Sequence, residues 1–237
     1  MTTLAGIALA NLAMAAATVV QLAAGIGFGL VGASLLLAVD PRLVPVPFAA
    51  AGIVLLFGQW RSNAASVPKG VLLPSVLGVV AGTVVGMGLA VAWPELGSRR
   101  GCGVVVLVAV ALSLLVPPLR PTGPTLAAAA AVSGAMGGIA GTHGPLMGLA
   151  VTGMTAQAVR GFLGLFWMIA YGTILVIALP AGRIHPGDLW MAVALLPGLA
   201  LGAALSGPAR RWLVGPRLRW AILLLATVSG AALVIAG

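Results

Sequence analysis

Charge is scarce in this chain, and charge of one sign is nearly absent. Only 6% of the 237 residues are charged, with 3 acidic residues against 12 lysines and arginines. Soluble globular domains carry about 25% charged residues, so this composition excludes one. No acid lies inside a long apolar run, which excludes a cation site built from buried carboxylates. Cys102 is the single cysteine, so neither an intrachain disulfide nor a cysteine-based metal centre is available. No metal and no cofactor is expected. One tyrosine and two histidines leave little for acid–base chemistry, and no enzyme is expected. The +9 balance is spread too thinly for nucleic acid, because no basic cluster exceeds two adjacent residues. It reads instead as the signal that orients membrane segments.

What fills the chain is apolar: 61% hydrophobic residues, with 34 glycines and 16 prolines. Runs near the ~20 residues that span a bilayer follow one another, which predicts an all-α, polytopic membrane protein. The first run has no basic region before it and reads as a retained helix rather than a cleaved signal. After Ala5–Val39 come Leu43–Trp60, Gly70–Trp93 and Gly101–Val116. Thr125–Val159, Gly161–Pro180, Leu189–Ser206 and Trp220–Ala236 follow the linker Pro117-Pro118-Leu119-Arg120-Pro121-Thr122-Gly123-Pro124. That proline-rich linker divides about eight segments into two repeats, 1–120 and 121–237, of one membrane domain.

The leading run of each repeat is too long. As one helix either would reach ~50 Å, against a hydrocarbon core of ~30 Å. Both carry a place to break, Gln21 through Gly25-Ile26-Gly27-Phe28-Gly29 and Gly141-Thr142-His143-Gly144-Pro145. Glycine admits backbone that other residues avoid, and proline removes a donor. A helix broken at bilayer depth turns free amides and a positive dipole end toward a cavity, which favours an anion.

Two spacings support a repeat. Gly25 and Gly32 recur 116 residues later as Gly141 and Gly148, and Gly78 and Gly82 recur 120 residues later as Gly198 and Gly202. If each long run crosses once the halves are parallel, and if each enters and turns back the halves are inverted, the arrangement expected here. Arg61, Lys69, Arg120, Arg160 and the arginines from 210 to 219 then share the cytoplasmic face, with both termini outside. Asp40, Glu95 and Asp188 gather on the other face.

On Ala24-Gly25-Ile26-Gly27-Phe28-Gly29 and Gly138-Ile139-Ala140-Gly141-Thr142-His143-Gly144-Pro145, the chain resembles the TauE/SafE-type sulfite exporter family of bacterial anion transporters. That family shows a G-x-G-G-G-P-like element in each half. Here Thr142-His143 stand where small residues are usual, and no proline closely follows Gly29. The resemblance implies a bacterial inner-membrane transporter exporting sulfite or an organosulfonate, a small anionic substrate, with proton coupling possible. It implies a site at Gln21, Gly25, Gly27, Phe28, Gly29, Gly141, Thr142, His143, Gly144 and Pro145, with Thr18 as a further donor.

Blander readings stand beside these. Gly78/Gly82 and Gly198/Gly202 read as helix-packing faces. Gln21 suits an interhelical hydrogen bond as well as a ligand. Arg160 reads as a cytoplasmic anchor, His185 as solvated, and Tyr171 as a cavity hydroxyl or a packing residue. The competing functions are a glycine-rich, half-helix anion channel and a membrane subunit without transport.

Overall fold

The computed structural model describes residues 4–143, 146–151, 153–212 and 216–236. Among them there is no strand. The chain runs α1 (Leu4–Ala24), α2 (Phe28–Val39), α3 (Val46–Arg61), α4 (Leu72–Ala92), α5 (Pro94–Gly97) and α6 (Arg99–Leu115). It continues with α7 (Gly123–Ala140), α8 (Leu146–Ala150), α9 (Ala156–Ala178), α10 (Pro186–Trp212) and α11 (Pro216–Ala236). Six helical stretches, those of α1, α4, α7, α9, α10 and α11, are long and apolar enough to cross a membrane. Their outer surfaces expose Leu77, Val84, Trp190, Leu224 and Val228, as lipid-facing helices do.

Several boundaries differ from expectation, and Arg160 lies within α9 and Arg217 and Arg219 within α11 rather than between runs. Arg99 and Arg100, expected in a loop, form the first turn of α6, because the Ser98 hydroxyl accepts from the Gly101 amide and caps that helix. Arg210 and Arg211, also expected in a loop, lie within α10, which runs through Pro208 to Trp212. A charge near an interface stays solvated while its backbone is helical, so apolar runs understate helix length.

Both long runs are broken as expected. Gly25 and Gly27 have φ of 80° and 105° and end α1, and Gly141, with φ of 68°, ends α7. L-residues rarely adopt this conformation, so these turns need glycine. After its turn α2 folds back along α1. The Phe28 amide donates to Gln21 Oε1, and a Cβ on Gly32 would lie 3.0 Å from that of Ala17. The loop after α2 is closed by Asp40, which accepts from the Arg42 amide and guanidinium. That ion pair holds the Asp40 carboxyl well below the usual carboxylate range.

Lipid gives helices little hydrophobic reason to associate, so close backbone approach must supply the packing. The contacts that do so have a fixed register. Gly78, Gly82 and Gly86 of α4 lie on the backbone of Ala127, Ala131 and Ala135, so α4 and α7 run parallel. Gly198 and Gly202 of α10 lie on Asn11 and Ala15, so α10 and α1 also run parallel. A Cβ on Gly82 would sit 2.7 Å from the Ala131 carbonyl carbon, closer than any real contact.

Two further major pairs are antiparallel. Gly52 of α3 faces Tyr171 of α9, while Gly164 lies against the Trp60 backbone. Gly103 of α6 meets Gly230 of α11, and Arg219 donates to the Ser113 carbonyl at 2.8 Å, satisfying the last turn of α6. Followed helix by helix, these directions bring both described chain ends to one face, opposite the α3–α4 connection and the start of α9.

Candidate functional site

The first break is held by side chains. Gln21, fully buried in α1, accepts from the Phe28 amide at 3.1 Å. It donates to the Gly25 carbonyl at 2.9 Å and to Gln59 Oε1 at 3.0 Å. Gln59, on α3, donates in turn to the Arg160 carbonyl at 2.8 Å. Breaking a helix frees polar backbone that lipid cannot serve. This two-glutamine chain serves it and ties α1, α2, α3 and α9 together at one level. Gln21 is thereby committed to the protein, while Gly25 packs on the aliphatic stem of Arg160.

The second break is different. α7 ends at Gly141, and Thr142 and His143 follow as irregular, buried backbone, 0% and 6% exposed. Gly144 and Pro145 lie outside the described residues. The imidazole covers Gly137, where a Cβ would come within 2.5 Å of its Cδ2. Trp167 and the edge of Tyr171, both on α9, flank it at centroid distances of 5.4 and 4.6 Å. Thr142 Oγ1, His143 Nδ1 and His143 Nε2 are buried without a hydrogen-bond partner. The Gly141 carbonyl lies close to the ring but does not complete a bond of ordinary geometry. Buried polar atoms are rarely left this way, and each orphan demands a reason.

The two breaks meet. A Cβ on Gly29, in the first turn of α2, would lie 3.0 Å from the His143 amide nitrogen. The same atom would lie 3.2 Å from the Tyr171 hydroxyl and 3.3 Å from the Gly141 carbonyl oxygen. Phe28 stacks on Phe48 at 4.7 Å, and both meet the ring of Tyr171. The start of α2, the Gly141–His143 turn and the middle of α9 thus enclose one small region. Its walls are aromatic, and its polar groups are uncharged: the His143 amide and ring, the Tyr171 hydroxyl and the Gly141 carbonyl.

Of the residues expected there, Phe28, Gly29, Gly141 and His143 come together, and Thr142 adjoins them in the chain. Gly25 and Gly27 do not line it. Gly27 turns toward Val20 and Ile222, and its part is the bend itself. Thr18, against Gly202, has an unpartnered hydroxyl, and so does Thr83, against Gly134. Thr83, Gln59 and Trp167 escaped sequence reasoning, since an isolated polar or aromatic residue in an apolar run carries no periodic signal. Compared with known proteins, the chain matches no family model, no curated protein and no solved structure.

Proposed function

We propose that this protein is a secondary membrane transporter for a small sulfur-containing oxyanion, sulfite or an organosulfonate, exported through a site where two broken helices meet. The observation that carries the reading is the buried trio of Thr142 Oγ1, His143 Nδ1 and His143 Nε2, unpartnered beside the glycine turn against which α2 begins. The Thr142 hydroxyl and the imidazole N–H can donate to a ligand that supplies acceptors, and the N-terminal dipole of α2 favours negative charge. No charged side chain belongs to α2, α4 or α7, so the region offers a cation no carboxylate.

The same reading takes the chain as two inverted repeats in a bacterial inner membrane, with both termini outside. Its support is numerical. The α4–α7 contacts pair Gly78 with Ala127 and Gly82 with Ala131, and the α1–α10 contacts pair Gly198 with Asn11 and Gly202 with Ala15. Adding 120 to the α4 numbers and subtracting 116 from the α7 numbers turns the first set into the second. An axis in the membrane plane makes equivalent helices antiparallel, as α3 with α9 and α6 with α11 are.

Purified protein in liposomes should take up labelled ethanesulfonate and sulfite saturably, with each competing against the other. Uptake that never saturates, or single-channel currents, would replace the transporter with a pore. Absence of anion flux would end the reading.

A further inference from the structure

We infer that the site moves a singly charged oxyanion together with one proton held on His143, so that the loaded carrier bears no net charge. This rests on the transport reading above and specifies what crosses; export in this form runs down the anion's own outward gradient, which must exceed the inward proton gradient, and takes nothing from the membrane potential. The elements packed around the imidazole are α7 through Gly137, α9 through Trp167 and Tyr171, and the start of α2 through Gly29. Among the described residues, α2 and α7 contain no charged side chain. The one on α9, Arg160, lies against Gly25. Tyr171 is the other titratable group facing the ring, and a phenol can lose a proton but does not gain one near neutrality. His143 is therefore the one group there able to become positive.

Its hydrogen-bond arithmetic points the same way. A neutral imidazole has one N–H and one bare lone pair. If the N–H turns to the nearby Gly141 carbonyl, the lone pair faces the anion and repels it. Protonating that nitrogen makes it a donor, and the anion supplies the acceptor that both it and Thr142 Oγ1 lack. The proton comes from hydronium on one side and is returned to water on the other, an O–H bond being exchanged for the N–H bond and back, and the anion itself is unchanged. A neutral ring would leave a bound monoanion as an uncompensated buried charge. A dianion would remain uncompensated even with the ring charged, and burying such a charge is costly.

The test uses liposomes and ethanesulfonate, whose single charge does not change with pH. Wild-type protein should accumulate it about tenfold per unit of pH gradient, since one proton is coupled to one anion. An imposed potential should have no effect, whereas an uncompensated charge would respond on the order of 50-fold per 100 mV. Sulfoacetate, a dianion, should be carried at least about tenfold more slowly. His143→Gln should lose the pH-driven accumulation, and any remaining flux should follow the potential. Potential-driven flux in the wild type overturns the inference, and so does pH-driven accumulation that survives in His143→Gln, while leaving anion transport intact. The wild-type potential test is independent of whether the variant folds. No ethanesulfonate flux under any gradient overturns both this inference and the transport reading.

Discussion

Asn11 offers the sharpest test of how this bundle is held, through its insertion into α10. Its Nδ2 donates to the Ala194 carbonyl at 2.9 Å and its Oδ1 accepts from the Gly198 amide at 2.6 Å. These are the two backbone groups that an undisturbed helix pairs with each other. Pro197 lies between them, and a proline inside a helix lacks the amide and crowds the carbonyl four residues back. A side chain entering the ladder at such a point is a known cause of bending. Asn11→Leu keeps the volume and removes both bonds. A buried group left unpaired costs about 1–3 kcal/mol. Two such groups, partly able to recover each other, give about 2–4 kcal/mol. At about 2–4 °C per kcal/mol for a chain of this size, the melting midpoint in detergent should fall by roughly 5–15 °C. In a Pro197→Ala background α10 can close its own ladder, so Asn11→Leu should cost under about 1 kcal/mol. If the two substitutions add to within about 0.5 kcal/mol, Asn11 and Pro197 are independent and the insertion argument fails.

The other predictions concern glycines and sidedness. Gly82→Val should disrupt the α4–α7 contact and lower the melting midpoint by more than 5 °C, an effect of several kcal/mol. Gly88→Ala, whose added Cβ meets nothing within 4 Å, should change it little. Gly29→Leu should abolish ethanesulfonate flux while leaving membrane insertion normal, since its side chain would fill the region between His143 and Tyr171. Normal flux would make that region packing rather than site. In a cysteine-free background, a cysteine at Ala65 should label from the cytoplasmic side and one at Gly97 from outside. Labelling in the opposite sense, or both from one side, would refute the inverted orientation.

The sequence was informative where the physics is one-dimensional. Long apolar runs locate the helices, and glycine clusters at Gly25–Gly29 and Gly141 locate the breaks, because lipid permits few alternatives to a helix and few residues other than glycine at positive φ. The packing reading of Gly78, Gly82, Gly198 and Gly202 also agrees with their close contacts. What was hidden depends on pairs distant in the chain. Gln59 looks incidental until it is seen to join Gln21 to Arg160. Asn11 looks like a lone polar residue until α10 is beside it. Helix ends at Arg99 and Trp212 were misjudged because charged residues near an interface can belong to a helix without costing it stability.

The two breaks differ in a way that bears on which one serves a ligand. Each turn strips hydrogen bonds from a helix inside an apolar bundle, and each needs those bonds replaced. At Gly25–Gly27 the replacement is internal, since Gln21 bonds both the Gly25 carbonyl and the Phe28 amide and is itself held by Gln59. At Gly141–His143 the described side chains replace nothing. Thr142 and His143 add three buried polar atoms of their own without partners. The groups at the second break are specific: a hydroxyl and an imidazole beside Tyr171 and Trp167, with no charged side chain on α2 or α7. The first break therefore suits a rigid support, and the second the place where an acceptor-rich ligand completes the hydrogen bonding.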